Sequence, residues 1–169
     1  MNAWFAALLL VSQGAGALLS GLPAPGSPRE SLVIEGFVCD TQHGRETCRL
    51  QPASGLWIDD LPALLAVLVY DGGRLARVSL AVDEARYAEL ESAIAQRLGA
   101  GEERTELLRA GMGGLFPNRI VVWRREGEVL LLEQYFERVT RSAITMMSAR
   151  EFDRFAAERD AQRVRGIRD

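Results

Sequence analysis

The sequence predicts a two-layer α+β domain, an antiparallel sheet with helices packed on one face, after an N-terminal signal segment. Two tight-turn signals predict the sheet: Asp-Gly-Gly between the apolar runs of residues 64–82, and Arg-Glu-Gly between those of residues 119–136. Such turns favour positive φ, which Gly adopts without steric cost. Apolar residues three or four apart in 83–98 and 148–163 predict two helices.

Residues 1–17 have the features of a cleavable signal peptide. Residues 3–11 are a continuous apolar run of signal-peptide length, and Ala15 and Ala17 fit the small-x-small rule before a cleavage point. The following segment, 18–30, is rich in Pro and Gly and predicts a flexible linker. We therefore expect a periplasmic or secreted protein that contacts the membrane only transiently, during export.

Two alternatives to cleavage remain open. Residues 3–22 are just long enough to span a bilayer, so an uncleaved segment would anchor the chain in the inner membrane, although Ser12 and Gln13 make it a poor span. A core helix is the other alternative, although the segment shows no polar face of helical period.

The rest of the chain predicts a single domain over residues 31–163, followed by a charged tail, 164–169, that frays. The whole chain has 169 residues, within the size of one ordinary domain. Hydrophobic residues make up 48% of it, enough for a core, and charged residues 25%, which argues against wholesale disorder. Two hairpin-plus-helix passages, ending near Gly99 and Arg163, hint at a duplicated unit.

Cys39 and Cys48 predict a disulfide in an exported chain. The eight residues between them do not fit the Cys-x-x-Cys spacing of zinc or redox sites. The bridge would join a first strand, 31–39, to a short return strand, 47–51, and contribute about 2–3 kcal/mol by closing a short loop. Two separately buried free thiols are the alternative.

The predicted hairpin of residues 64–82 contains a strand with period-two alternation. Over residues 74–82, Val78 and Leu80 fall on one face of the strand, and Arg77 and Ser79 fall on the other.

Both predicted helices have local start signals. Asp83 is placed to cap the first helix with its carboxylate, and Ser148-x-x-Glu151 forms a capping box for the second. Between the helices, residues 102–109 fit either a helical turn or a strand. Further strands are predicted over residues 119–124, 128–136 and 140–147.

Composition and motifs disfavour several functions. The net charge of −3 gives no long-range attraction for nucleic-acid phosphates. His43 is the only histidine, which excludes a multi-His metal site, and no Gly-x-Ser-x-Gly elbow accompanies it. Gly111, Gly113 and Gly114 lack the Lys-Ser/Thr of a phosphate loop. We therefore predict no metal, no cofactor and no nucleic-acid partner.

The second hairpin carries a candidate interaction face, formed by Arg124, Arg138, Trp123 and Tyr135. Arginine prefers carboxylate and phosphate partners, and an exposed large aromatic residue would mark a binding face. The alternative interpretation is a solvated face of Arg–Glu pairs, with the aromatic side chains in the core.

Several short stretches resemble a broad group of small periplasmic proteobacterial proteins of unknown function. The stretches are residues 69–78, Arg97-Leu98-Gly99, Asn118-Arg119 before Trp123, and Gln134-Tyr135. The resemblance covers roughly residues 37–155. It implies an antiparallel sheet with helices on one face, similar in outline to the β-lactamase-inhibitor-protein and outer-membrane-assembly-lipoprotein folds. Such domains bind other proteins, although this chain lacks the lipidated Cys of the lipoprotein members.

The expected function is that of an exported, non-catalytic protein-interaction module of the bacterial envelope, of the inhibitor or assembly-factor type. Its partner would be another protein. The alternative is a periplasmic hydrolase whose active site the sequence does not reveal, since no catalytic residue can be named from it.

Overall fold

The computed structural model of the protein describes residues 18–109 and 114–166. The predicted signal peptide, the segment 110–113 and the last three residues of the predicted tail lie outside the described residues. The strands are β1 (Leu19–Ser20), β2 (Val38–Gln42), β3 (Arg45–Leu50), β4 (Trp57–Ile58), β5 (Leu61–Pro62), β6 (Leu65–Asp71), β7 (Arg74–Asp83), β8 (Glu102–Arg109), β9 (Leu115–Arg125), β10 (Glu128–Glu133) and β11 (Arg141–Ser148). The helices are α1 (Tyr87–Leu98) and α2 (Ala149–Gly166), with short 3-10 turns at Arg29–Ser31 and Glu84–Arg86.

Eight of the described strands form one antiparallel sheet, in the order β2-β3-β6-β7-β11-β10-β9-β8, and β1, β4 and β5 form a small second sheet. Each half of the large sheet is a run of four strands followed by a helix. In the first half β2, β3, β6 and β7 precede α1, and in the second half β8 to β11 precede α2. The halves join where β7 pairs with β11. This repeated order agrees with the hint of a duplicated unit in the sequence.

The prediction of an α+β domain with helices on one face of the sheet is wrong. Strand makes up 48% and helix 23% of the protein, so the fold is mostly β. Helix α1 packs on the first face of the large sheet, which carries Leu68 and Leu80. Helix α2 packs on the opposite, second face, which carries Leu131 and Met147. Because the central strands are apolar on both faces, each face needs its own cover.

The segment 18–30 is packed against the body of the protein, so the prediction of a flexible linker there is corrected. Leu18 and Leu19 are buried in the core of the first face, and β1 pairs with β4. Further along, the Gly26 amide donates a hydrogen bond to the Leu75 carbonyl, and the Leu75 amide donates to the Ser27 carbonyl at 2.8 Å. The leucines of this Pro- and Gly-rich stretch therefore pack in the core.

The turn signal of the 64–82 hairpin and the start of α2 at Ser148 are confirmed, whereas Asp83 caps the 3-10 turn Glu84–Arg86 that precedes α1 and not α1 itself. Gly72 and Gly73 adopt φ of 55° and 74° in the turn between β6 and β7. The Asp83 carboxylate accepts a hydrogen bond from the Ala85 amide at 2.9 Å, and the Ser148 hydroxyl accepts one from the Glu151 amide at 3.1 Å. The ambiguous residues 102–109 form the edge strand β8.

The predicted disulfide between Cys39 and Cys48 is present. The two residues lie directly opposite each other on β2 and β3, so the bridge ties the edge strand to its neighbour. The first strand begins later than predicted, at Val38 rather than residue 31. The chain before it forms the 3-10 turn Arg29–Ser31.

Candidate functional site

The structure does not bring the four residues of the predicted interaction face together on one surface. Trp123 is buried on the first face, where its indole N–H donates a hydrogen bond to the Gly99 carbonyl at 2.8 Å. Tyr135 lies edge-on to Phe116, with ring centroids 5.4 Å apart. Both aromatic side chains therefore have partners within the protein.

The two arginines of that predicted face lie near opposite ends of β10. Arg124, next to the 125–128 turn, projects over the Phe152 ring of α2, with 4.5 Å between its guanidinium carbon and the ring centroid. Arg138 is exposed in the 134–140 connection, which follows the other end of β10. A role of either arginine in binding stays a prediction, but they do not form a single patch.

A different feature stands out on the second face, a groove of about 170 Å³ over β3, β6 and β7. Helix α2 packs on the part of this face nearer to β8–β10 and reaches β3 and β6 through the ion pairs Glu151–Arg45 and Arg154–Asp71. The groove lies beside the helix. One wall of the groove is Phe155 of α2, and the other is formed by Phe136 and Glu137 of the 134–140 connection. Phe136 is held there because it packs on the apolar residues of β6, β7 and β11.

The floor of the groove combines hydroxyl groups with valines. Ser79 and Thr145 lie opposite each other on β7 and β11, and their hydroxyl oxygens are 2.8 Å apart. Both residues are buried. Val67 and Val69 continue the floor on β6. Under α2, by contrast, the same face carries large apolar residues such as Leu131. The hydroxyl pair is therefore a feature of the groove.

Arg77 lines the groove and is only partly exposed to solvent. Its guanidinium carbon is 4.7 Å from the centroid of the Phe155 ring. Its Nη1 atom is buried without a hydrogen-bond partner, and no carboxylate in the described part of the chain forms an ion pair with it. Burial lowers the pKa of Arg77, and the more distant negative charge of Glu151 offsets this only in part.

A second guanidinium lies at the mouth of the groove. Arg49, on β3, forms an ion pair with Glu137 of the wall, and both side chains are partly exposed. Glu137 has a φ of 58°, in the left-handed region that side-chain-bearing residues seldom adopt. The groove thus contains one cation without a counter-charge and a second whose counter-charge lies at the solvent boundary.

Under α2, the second face also buries charge, in a cluster of Arg159, Glu133, Glu106 and Arg104, whose guanidinium lies 3.5 Å from the Glu106 carboxylate. Arg159 donates hydrogen bonds to Glu133 at 2.7 Å and to Glu106 at 2.9 Å, and the two carboxylate side chains are only 5% and 6% exposed. Burial lowers the pKa of Arg159, but the hydrogen bonds and charges of Glu133 and Glu106 outweigh it and raise the pKa overall. Because both carboxylates bind the guanidinium, the cluster connects α2 to the sheet.

The other candidate groups have structural explanations. Among the residues that the structure describes, the ligand atoms of Cys39, Glu46 and Cys48 lie within 4.8 Å of one another, as in a metal site. However, the two sulfurs are bonded to each other, and Glu46 accepts a hydrogen bond from Arg29 at 2.9 Å. His43 is exposed in the turn between β2 and β3, with a φ of 52°.

Comparisons with known proteins found no match: neither a protein-family model, nor a curated protein, nor a solved structure is significantly similar to this chain. Within the described ranges, no helix is long and apolar enough to cross a membrane. The groove is therefore interpreted from its own side chains.

The sequence alone does not reveal the groove. Its alternation correctly places Arg77 and Ser79 on the face opposite Val78 and Leu80. One signal in the sequence could have pointed to the groove. Arg77 lies in a strand that pairs with the continuous apolar run 65–70, and a charge at the centre of a sheet needs a partner.

Proposed function

We propose that the protein is an exported, non-catalytic protein-interaction module of the bacterial envelope, of the inhibitor or assembly-factor type, and that it binds its partner through the groove on the second face. The observation that carries this proposal is the groove itself. It combines guanidinium groups, hydroxyls and aromatic walls in a place that the described residues leave accessible. Such a mixture is typical of sites that bind and orient a partner group.

Export is supported by two further features. The apolar run 3–11, followed by Ala15 and Ala17, fits a signal peptide, and the disulfide fits an oxidising compartment. Expressed in a Gram-negative host, the protein should be found in the periplasm with an N-terminus near Leu18. Mass spectrometry of the fractionated protein tests this, and soluble cytoplasmic protein with an intact Met1 would contradict it.

The binding surface is tested by site-specific photo-crosslinking in the host. A benzophenone amino acid is placed at Val139, an exposed position on the connection that borders the groove, and, as a control, at Gln96, an exposed position on α1. We expect a discrete crosslinked protein from position 139 and none from position 96, since α1 covers the opposite face.

A groove-filling variant gives the matched control. Thr47→Trp places an indole in the groove, and it should abolish the crosslink from position 139 while leaving the melting temperature almost unchanged, because Thr47 is only partly buried. A crosslink that survives Thr47→Trp, or that forms equally well from position 96, would contradict the proposed surface.

A further inference from the structure

We propose that the groove binds a carboxylate of the partner protein, the side chain of an Asp or Glu flanked by an apolar residue, and that Arg77 is the residue that recognises it. This inference rests on the proposed function and specifies the chemistry of the bound segment.

The first argument is the missing counter-charge of Arg77. Charged groups taken out of water are normally paired, because burial without a partner is costly. The second face follows this rule elsewhere: Arg45 is paired with Glu151, and Arg159 with Glu133. Arg77 lies against the Phe155 ring and forms no ion pair within the described part of the chain, and its Nη1 atom is buried without a hydrogen-bond partner. Local rules of this kind are broken mainly at functional sites, where a ligand completes the set.

The second argument is the set of groups around Arg77. When Ser79 and Thr145 hydrogen-bond to each other, only one of the two hydroxyl hydrogens is used, and the other remains free to be donated. Arg49 at the mouth adds a second guanidinium, whose partly exposed bond to Glu137 is of a kind that contributes little energy and is readily exchanged. Every one of these groups suits an acceptor oxygen that carries negative charge.

The third argument is the size of the groove and the nature of its walls. A volume of about 170 Å³ is below the 300–1,000 Å³, roughly, of sites for cofactors and other small molecules. It is suited to one amino-acid side chain. Phe136 and Phe155 form the walls, so an apolar or aromatic residue next to the acidic one would be in contact with them. These features favour a segment of protein as the occupant.

The test uses two capped dipeptides that differ only in the carboxylate, acetyl-Phe-Glu-amide and acetyl-Phe-Gln-amide. Each is titrated into the full-length exported protein labelled with ¹⁵N, and the Nε–H signal of Arg77 is followed by NMR. We expect a saturable shift with the Glu peptide and at least about tenfold weaker binding of the Gln peptide, the usual effect of one charge-assisted hydrogen-bonded pair.

Two substitutions of the same type separate recognition from general charge. Arg77→Met keeps an unbranched side chain against Phe155 and removes the charge, so the preference for the Glu peptide should disappear. Arg124→Met is the control: Arg124 also lies over a phenylalanine of α2 on the second face, but it does not line the groove. The Arg124→Met protein should keep the full preference.

Equal binding of the two peptides, no saturable shift up to their solubility limit, or a preference retained in Arg77→Met would each overturn the inference. The crosslinking experiment distinguishes this failure from that of the proposed function. A crosslink from position 139 that Thr47→Trp abolishes, together with no preference for the Glu peptide, leaves the groove as the binding surface and refutes carboxylate recognition. If the crosslink is also absent, both proposals fail.

Discussion

Under α2, Arg159 lies between two buried carboxylates, whereas in the adjacent groove Arg77 is buried against a phenylalanine ring with no carboxylate partner in the described chain. Both are arginines on the second face of one sheet. The guanidinium of Arg159 binds the carboxylates of both glutamates, and these bonds hold α2 on the sheet. The charge of Arg77 has no such structural task. Paired burial therefore marks a part of this face that holds the fold together, and unpaired burial marks the part where we propose that another molecule binds.

The largest effect is expected from Arg159→Met. The substitution removes the guanidinium shared by the buried carboxylates of Glu133 and Glu106, of which Glu106 keeps its ion pair with Arg104. Breaking a buried ion pair in this way costs about 3–5 kcal/mol. Urea denaturation at neutral pH measures the loss. Arg154→Met is the control on the same helix, since Arg154 is exposed and its ion pair with Asp71 should contribute less than about 1 kcal/mol. Similar losses for the two variants would contradict the comparison.

Removal of the disulfide by Cys39→Ala should cost about 2–3 kcal/mol, because it releases the short loop between β2 and β3. Thiol titration of the unreduced, denatured wild-type protein should find no free thiol, and denaturation of the variant measures the loss. The wild-type protein with its disulfide reduced should show the same loss. If it does not, the effect of Cys39→Ala comes from the substitution and not from the bridge.

Arg77→Met should change the free energy of unfolding by no more than about 1 kcal/mol. Loss of the cation–π interaction with Phe155 destabilises the protein, and removal of the unpaired buried charge stabilises it. The same denaturation experiment decides the result. A loss as large as that of Arg159→Met would show that Arg77 is a structural residue, and the contrast between the two halves of the face would disappear.

A smaller effect is expected for charge reversal beside the groove. Arg138→Glu places a negative charge next to Glu137 at the wall and should weaken binding of the acidic peptide by up to about 1 kcal/mol, as for other exposed charges. Arg124→Glu, at the other end of β10, should leave the peptide affinity unchanged. Equal effects of the two variants in the NMR titration would indicate a general charge effect instead of recognition in the groove.

His43→Ala should have the smallest effect of all. The residue is exposed in a turn, so its stability change should stay within about ±0.5 kcal/mol. Crosslinking and peptide affinity should also be unchanged. A folded His43→Ala protein that has lost its biological activity would favour the hydrolase hypothesis over the interaction module.

Features encoded by near neighbours were predictable from the sequence. The hairpin of β6 and β7, the Asp83 cap of the turn before α1, the Ser148 cap of α2 and the Cys39–Cys48 bridge each depend on residues a few positions apart. Alternation also placed Arg77 on the correct face of its strand, because the period of a strand is fixed by its geometry.

Features that depend on distant segments were not predictable. An amphipathic stripe shows which side of a helix is apolar, but not which face of the sheet it will cover, so the two-sided packing of α1 and α2 was missed. The groove arises where β3, β6, β7, β11 and α2 meet, and no spacing in the sequence places Thr47 near Phe155. In segment 18–30, the Pro and Gly residues predicted a flexible linker, although the leucines of the segment pack in the core.

The pairing of β7 with β11 has a consequence for how the chain is made. Between these two strands the sequence contains α1 and three further strands, so an N-terminal half that is already synthesised presents β7 as an unpaired edge. That edge carries Val78, Leu80 and Val82, an apolar template on which another chain can add a strand. Pairings so distant in sequence also form slowly. We therefore expect a chain in which β7 has folded and β11 has not yet paired with it to be the form most prone to aggregation.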